Sequence, residues 1–135
     1  MKTRTAARPR IRFEFGTLTL DAELLDTPTA RLIAAALAGG GLTASAQTWG
    51  EEVYFEVPID AAREKDARAV VVPGEIAYWP DGRCIAIGFG RTPISRGAET
   101  RLASPCNIFA NALSDVKALA PVKSGAAIRV TLLES

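Results

Sequence analysis

Between Pro73 and Pro93 the chain reads PGEIAYWPDGRCIAIGFGRTP, and this stretch leaves few folds open. Two apolar runs flank Pro80-Asp81-Gly82. Proline presets its own φ, aspartate bonds its local backbone and glycine supplies a positive φ, so the three residues predict a tight turn between paired strands. In the return strand Ile85, Ile87 and Phe89 share one face, and Cys84, Ala86 and Gly88 share the other. A face of such small residues admits close approach by another group, either a ligand or another part of the protein. A second polar turn, Gly90-Arg91-Thr92-Pro93, closes the stretch.

The same period of two recurs along the chain. Ile11, Phe13 and Phe15 alternate with Arg10, Arg12 and Glu14, and Leu18, Leu20, Ala22 and Leu24 follow across Gly16. This predicts an antiparallel hairpin with one wet face. Further strands are expected at Leu42–Thr48, at Val53–Val57 (with Glu52, Tyr54 and Glu56 facing out), at an edge run Ala69–Val72, at Cys106–Leu113 and at Ala126–Leu133. Thr27-Pro28 has the chemistry of a helix start. Leu32, Ile33, Ala36 and Leu37 form a stripe at helical spacing that ends at Gly39-Gly40-Gly41. Ser114 is read as the cap of a short helix through Leu119, ended by Pro121. Residues 58–68 carry charges of alternating sign and are read as a solvated loop or turn, and residues 90–104 as a long loop. About eight strands with one longer and one short helix predict a mostly β protein, a closed barrel or a sandwich. The basic residues 1–9 are expected to be a flexible tail, with one domain over 10–135.

Composition narrows the chemistry. The 135 residues carry a net charge of +1, which argues against a general nucleic-acid or membrane-surface binder. No apolar run approaches a membrane span and no secretory signal is evident, so a cytoplasmic location is expected. There is no histidine. That removes the commonest general base near neutral pH and any Ser-His or Cys-His nucleophile. No metal site is expected from two cysteines and carboxylates, and no cofactor loop: Gly39-Gly40-Gly41 lacks the following Lys-Ser or Lys-Thr of a phosphate loop. Cys84 and Cys106 are read as reduced, partly buried thiols, with a disulfide left open. Glu51 and Glu52 are strand neighbours that point to opposite faces, so a shared carboxylate site is set aside.

Four motifs carry a resemblance: Thr48-Trp49-Gly50-Glu51-Glu52-Val53-Tyr54-Phe55, Gly74-Glu75-Ile76-Ala77-Tyr78-Trp79-Pro80, Gly88-Phe89-Gly90-Arg91-Thr92-Pro93-Ile94-Ser95 and Ala103-Ser104-Pro105-Cys106-Asn107-Ile108-Phe109. In this order they resemble the cyclophilin-like family of small bacterial and archaeal proteins, over about residues 10–133. The resemblance implies a closed eight-stranded barrel capped by helices. True cyclophilins carry a Phe-His-Arg strand and a Phe-Met-Ile-Gln-Gly-Gly-Asp strand. The corresponding region here, Thr43–Phe55, has neither, and no arginine lies between Leu42 and Val57.

Two functions are expected from this reading. The first is binding of a small molecule or short peptide in a groove on the barrel, by Gln47, Trp49, Glu51, Tyr54, Tyr78, Arg91 and Asn107. The aromatics offer flat apolar contact with polar tips, Arg91 a partner for a carboxylate or carbonyl, and Glu51 and Asn107 orientation. The alternative is a peptidyl-prolyl isomerase in which Arg91 is catalytic, donating to the prolyl nitrogen. For Trp49, plain packing stands beside the site reading. An exposed aromatic groove also serves self-association; a monomer or weak homo-oligomer is expected.

Overall fold

The computed structural model describes residues 8–133. The basic tail expected over residues 1–9 lies, apart from the exposed Arg8 and Pro9, outside the described residues. The strands are β1 (Arg10–Phe15), β2 (Leu18–Leu24), β3 (Leu42–Ser45), β4 (Gln47–Thr48), β5 (Glu52–Glu56), β6 (Arg68–Val71), β7 (Glu75–Trp79), β8 (Cys84–Gly88), β9 (Thr100–Ala112) and β10 (Ala127–Leu133). Among the described residues one α-helix, α1, spans Pro28–Leu37, and a 3-10 turn spans Val116–Leu119.

Every strand pairing is antiparallel, in the order β3-β10-β1-β2-β9-β7-β8-β5-β4. The first and last members of that path are consecutive in the chain. They are two halves of one run, Leu42–Thr48, bent at Ala46. Ala46 itself stays tied to the start of β10: its N–H donates to Ala126 and its carbonyl accepts from Gly125, each at 2.8 Å. Counted as one bent strand, the run brings the sheet round on itself as a nearly closed barrel of eight strands, which leaves few unpaired edges. β6 stands outside this path and pairs only with β9.

The alternation read from the sequence positions the core. Ile11, Phe13, Phe15, Leu20, Ala22 and Leu24 are all buried, and the hairpin register sets Phe15 opposite Leu18 across a turn where Gly16 takes φ 70°. Phe13 meets Phe55 edge to face across the barrel, centroids 6.0 Å apart. Thr27 caps α1 by accepting from the Ala30 N–H at 3.1 Å. The buried helix face is Thr29, Ala30, Ile33 and Leu37. Leu32 and Ala36, expected in the stripe, are exposed instead. The helix is turned toward Thr29 because Glu64, from the loop read as solvated, accepts both the Thr29 N–H (3.0 Å) and its hydroxyl (2.6 Å). α1 packs at the end of the barrel where β1 begins, with Ala34 and Arg31 beside Pro9 and Leu24. The 3-10 turn packs at the other end, with Ala118 beside Phe15 and Leu18. Its cap is Asp115, which accepts from the Lys117 N–H at 2.9 Å, rather than Ser114.

β9 departs most from expectation. It starts at Thr100, six residues before the strand read from the sequence, because its first half pairs with β6 and its second half with β7 and β2. Its pairing runs from Arg101 opposite Val70 to Cys106 opposite Arg68, so residues 102–105 bulge from the ladder. Pro105, which has no N–H to offer, sits in that bulge. A second apolar layer results on the outside of the barrel: Val71, Leu102 and Cys106 lie over Ala77 and Ala86. Among the described residues no helix is long and apolar enough to cross a membrane.

Candidate functional site

The outer layer covers the face of β5, β8 and β7 incompletely. Strand pleating sends Glu52 and Tyr54 of β5, Ala86 of β8 and Trp79 of β7 to this face, and the register sets Tyr54 opposite Ala86 and Glu52 opposite Gly88. At one end Gly88 lies so close to the Thr100 side chain that a Cβ there would overlap it, with Leu102 also in contact. The small-residue face of β8 therefore serves first as a seat for another part of the protein. Beyond it the two layers separate around a cavity of about 190 Å³. Trp49, Tyr54 and Trp79 form its aromatic walls, Ala86 its floor, and Leu102, Ala103 and Cys106 its side toward the β9 bulge. Both tryptophans of the chain line it.

Each wall is held by short-range structure. Trp79 donates from Nε1 to Ser104 Oγ at 2.6 Å, and Ser104 donates on to Asp81, which also pairs with Arg63. The indole lies against Gly82, where a Cβ would overlap its six-membered ring. That is why glycine stands in this turn: the positive φ expected of it belongs instead to Arg83, at 54°. Tyr54 donates to Gln47 Oε1 at 3.2 Å. Trp49 enters from a loop whose Gly50 takes φ 63° and packs on the backbone of Arg91 and Thr92. The opposing loop is pinned by Ser95, which accepts from the N–H groups of Thr92 (2.9 Å) and Arg101 (3.1 Å).

One polar side chain breaks the apolar lining. Glu52 is 5% exposed, and its Oε1 is buried without a hydrogen-bond partner. With no cation beside it, burial pushes its carboxyl from an ordinary 4.5 up to about 7. Such a group can give or take a proton at neutral pH. The neighbouring thiols cannot readily do so. Burial raises Cys106 to about 12 and Cys84 to about 11, with the charge of Glu52 a smaller contribution in each case; both are free thiols. Among the described residues no group of three Cys, Asp or Glu is placed to share a metal ion.

The residues expected to form a binding groove are divided by the structure. Trp49 and Tyr54 line the cavity, and Gln47 braces Tyr54 at its rim. Tyr78 does not reach it: strand neighbours point oppositely, so Tyr78 lies fully buried inside the barrel and donates to the Ile59 carbonyl. Asn107 is 1% exposed and serves as an internal clamp. It donates to Thr29 Oγ1 (2.8 Å) and the Ala62 carbonyl (2.9 Å) and accepts from the Glu64 N–H (2.8 Å). Glu51 and Arg91 hold two loops together. The Glu51 N–H donates to the Arg91 carbonyl at 2.7 Å, the Arg91 N–H returns to Glu51 Oε1 at 3.0 Å, and the guanidinium donates to the Ser95 carbonyl at 3.1 Å. Glu52, Trp79 and Leu102 also line the cavity and were not among the expected groove residues. Trp79 could have been found by extending the pleat through β7, since Ile76 and Tyr78 claim the inner face.

A family model described as Cyclophilin-like matches residues 9–131. No curated protein matches the chain. Among solved structures, a hypothetical protein from Archaeoglobus fulgidus, determined in solution, is 30% identical with a TM-score of 0.78, covering 96% of this chain and 98% of that one. McbB, solved in complex with tryptophan, is 18% identical with a TM-score of 0.59; the match covers 90% of this chain and 44% of McbB, a likeness of fold alone.

Proposed function

The chain belongs to the cyclophilin-like family, and on that premise we propose that it is a small-molecule-binding domain whose site is the cavity between the barrel wall and the β9 bulge. The observation that carries this reading is a buried carboxyl, one oxygen of which has no hydrogen-bond partner, in the lining of an otherwise apolar cavity. Buried polar groups are ordinarily hydrogen-bonded, and an orphan acceptor costs roughly 1–3 kcal/mol. A ligand that donates to Glu52 would recover that cost. Cavity size selects the ligand. Drug-sized molecules occupy about 300–1,000 Å³, whereas a dry apolar cavity of about 150 Å³ takes benzene. At about 190 Å³ the site suits one ring with a short arm, and of a peptide it would admit one side chain. The isomerase alternative requires Arg91 over a prolyl pocket. That guanidinium is engaged with Ser95 and does not line the cavity, so the binding reading has the stronger support.

Intrinsic fluorescence tests the proposal, because Trp49 and Trp79 both line the site. Titration with benzyl alcohol should change the emission saturably. Ala86→Leu should fill the cavity floor and abolish that response while leaving the far-ultraviolet circular dichroism intact. An unsaturable response, or one unchanged in Ala86→Leu, would refute the site.

A further inference from the structure

The binding reading leaves open what the ligand offers to Glu52, and the surroundings of that carboxyl restrict the answer. Glu52 faces a cavity with no lysine or arginine among its lining residues, so its charge meets no countercharge from the protein. Tyr54, on the same strand, turns its hydroxyl to Gln47. Cys106, from β9, keeps its proton. Farther along this outer face Glu56 pairs in register with Cys84, and Arg63 and Asp81 pair with each other near the Trp79 turn. An anionic ligand would meet the charge of Glu52 with no cation in the lining to offset it. A neutral hydrogen-bond donor would satisfy one oxygen but add no countercharge, so the carboxyl would keep its proton or, above neutral pH, stand ionised and uncompensated in an apolar site. An organic cation resolves both demands. It neutralises the carboxylate, and three aromatic side chains line the same cavity, whose rings can attract a cation. Because the protein gives Glu52 Oε1 no hydrogen-bond donor, a cation that carries N–H bonds suits this carboxyl better than one without.

We propose that this pocket takes a primary ammonium compound with a compact apolar body, of about one aromatic ring and a one- or two-carbon arm, its nitrogen donating to Glu52 and its body held among Trp49, Tyr54 and Trp79. The inference rests on the small-molecule reading above and adds the charge and donor character of the ligand. Its sign of pH dependence follows. A cation favours the ionised carboxylate, so at pH values where empty Glu52 is protonated binding must release that proton. Affinity for the ammonium then rises as pH increases toward neutrality and levels off above it, whereas a neutral ligand shows no such rise.

The test uses the whole protein and three probes of one shape: benzylamine, benzyl alcohol and benzoate. Tryptophan fluorescence and calorimetry should show benzylamine binding roughly ten- to hundredfold tighter than benzyl alcohol above neutral pH, the gain of a charge-assisted hydrogen bond, and benzoate weakest. The benzylamine advantage should shrink as pH falls below neutrality, a result that needs no variant. Glu52→Gln, which keeps the side-chain shape, should remove the advantage while retaining benzyl alcohol. Benzyl alcohol or benzoate binding as tightly as benzylamine would overturn the ammonium inference and leave the small-molecule reading standing. Failure of all three probes to bind would overturn both.

Discussion

Replacing Glu52 by glutamine should make the protein more stable in alkaline solution and leave it unchanged in acid. The folded carboxyl, pushed by burial from an ordinary 4.5 to about 7, prefers its proton, whereas the unfolded one releases it at the ordinary value. Between those values the unfolded state binds fewer protons than the folded state, so the ionisation of Glu52 lowers stability as pH rises. At about 1.4 kcal/mol per pKa unit the full effect is roughly 3 kcal/mol, complete above neutrality and absent below the ordinary carboxylate range. Glutamine has the same shape and cannot ionise. Urea unfolding of both proteins at about pH 8.5 should therefore show the variant more stable by roughly 3 kcal/mol, a midpoint shift on the order of 1–3 M. At about pH 4 the midpoints should coincide. The comparison isolates Glu52, since Glu75 beside Arg68 and Glu99 beside Arg101 are held below their usual values in both proteins alike. A variant equally stable or less stable at alkaline pH, or a difference independent of pH, would show that Glu52 is solvated or paired and would remove the reasoning built on it.

Other positions separate the site from its scaffold. Gly82→Ala should cost roughly 1–3 kcal/mol by displacing the Trp79 indole, and tryptophan emission should shift with it; an unchanged spectrum and midpoint would contradict the close packing. Asn107→Ala should destabilise by roughly 1–3 kcal/mol, because it removes the clamp between α1, β9 and the loop at Glu64, yet bind benzyl alcohol with unchanged affinity at a temperature where it is folded. Arg91→Ala should likewise leave that affinity unchanged by calorimetry, and loss of binding would return Arg91 to the site.

The barrel was legible because its signals are local. The alternation in β1, β2, β5 and β8, the Thr27 cap and the Pro80-Asp81-Gly82 turn each depend on neighbours in sequence. The site was half legible. Tyr54 was placed on this face by its outward pleat and Trp49 as an aromatic beside that strand, and the same parity, carried through β7, exchanges Tyr78 for Trp79 among the lining residues. Glu52 was read as facing outward, and it does face away from the barrel core. It is nonetheless buried, in the same lining as Leu102, Ala103 and Cys106 from about fifty residues later in the chain, and no local pattern announces those neighbours. Asn107 and Glu64 illustrate the converse. Polar residues in a polar context read as surface or ligand groups, and only the tertiary fold makes them internal hydrogen-bond partners.

Where a small aromatic molecule binds is measured most directly by amide chemical-shift mapping of the isotope-labelled protein during a benzyl alcohol titration. The predicted result is a saturable set of shifts at Glu52, Tyr54, Ala86, Leu102 and Ala103 together with the two indole N–H signals. Shifts centred instead on Arg91 or Asn107, or none at concentrations that saturate the fluorescence response, would contradict a ligand site between the barrel wall and the β9 bulge.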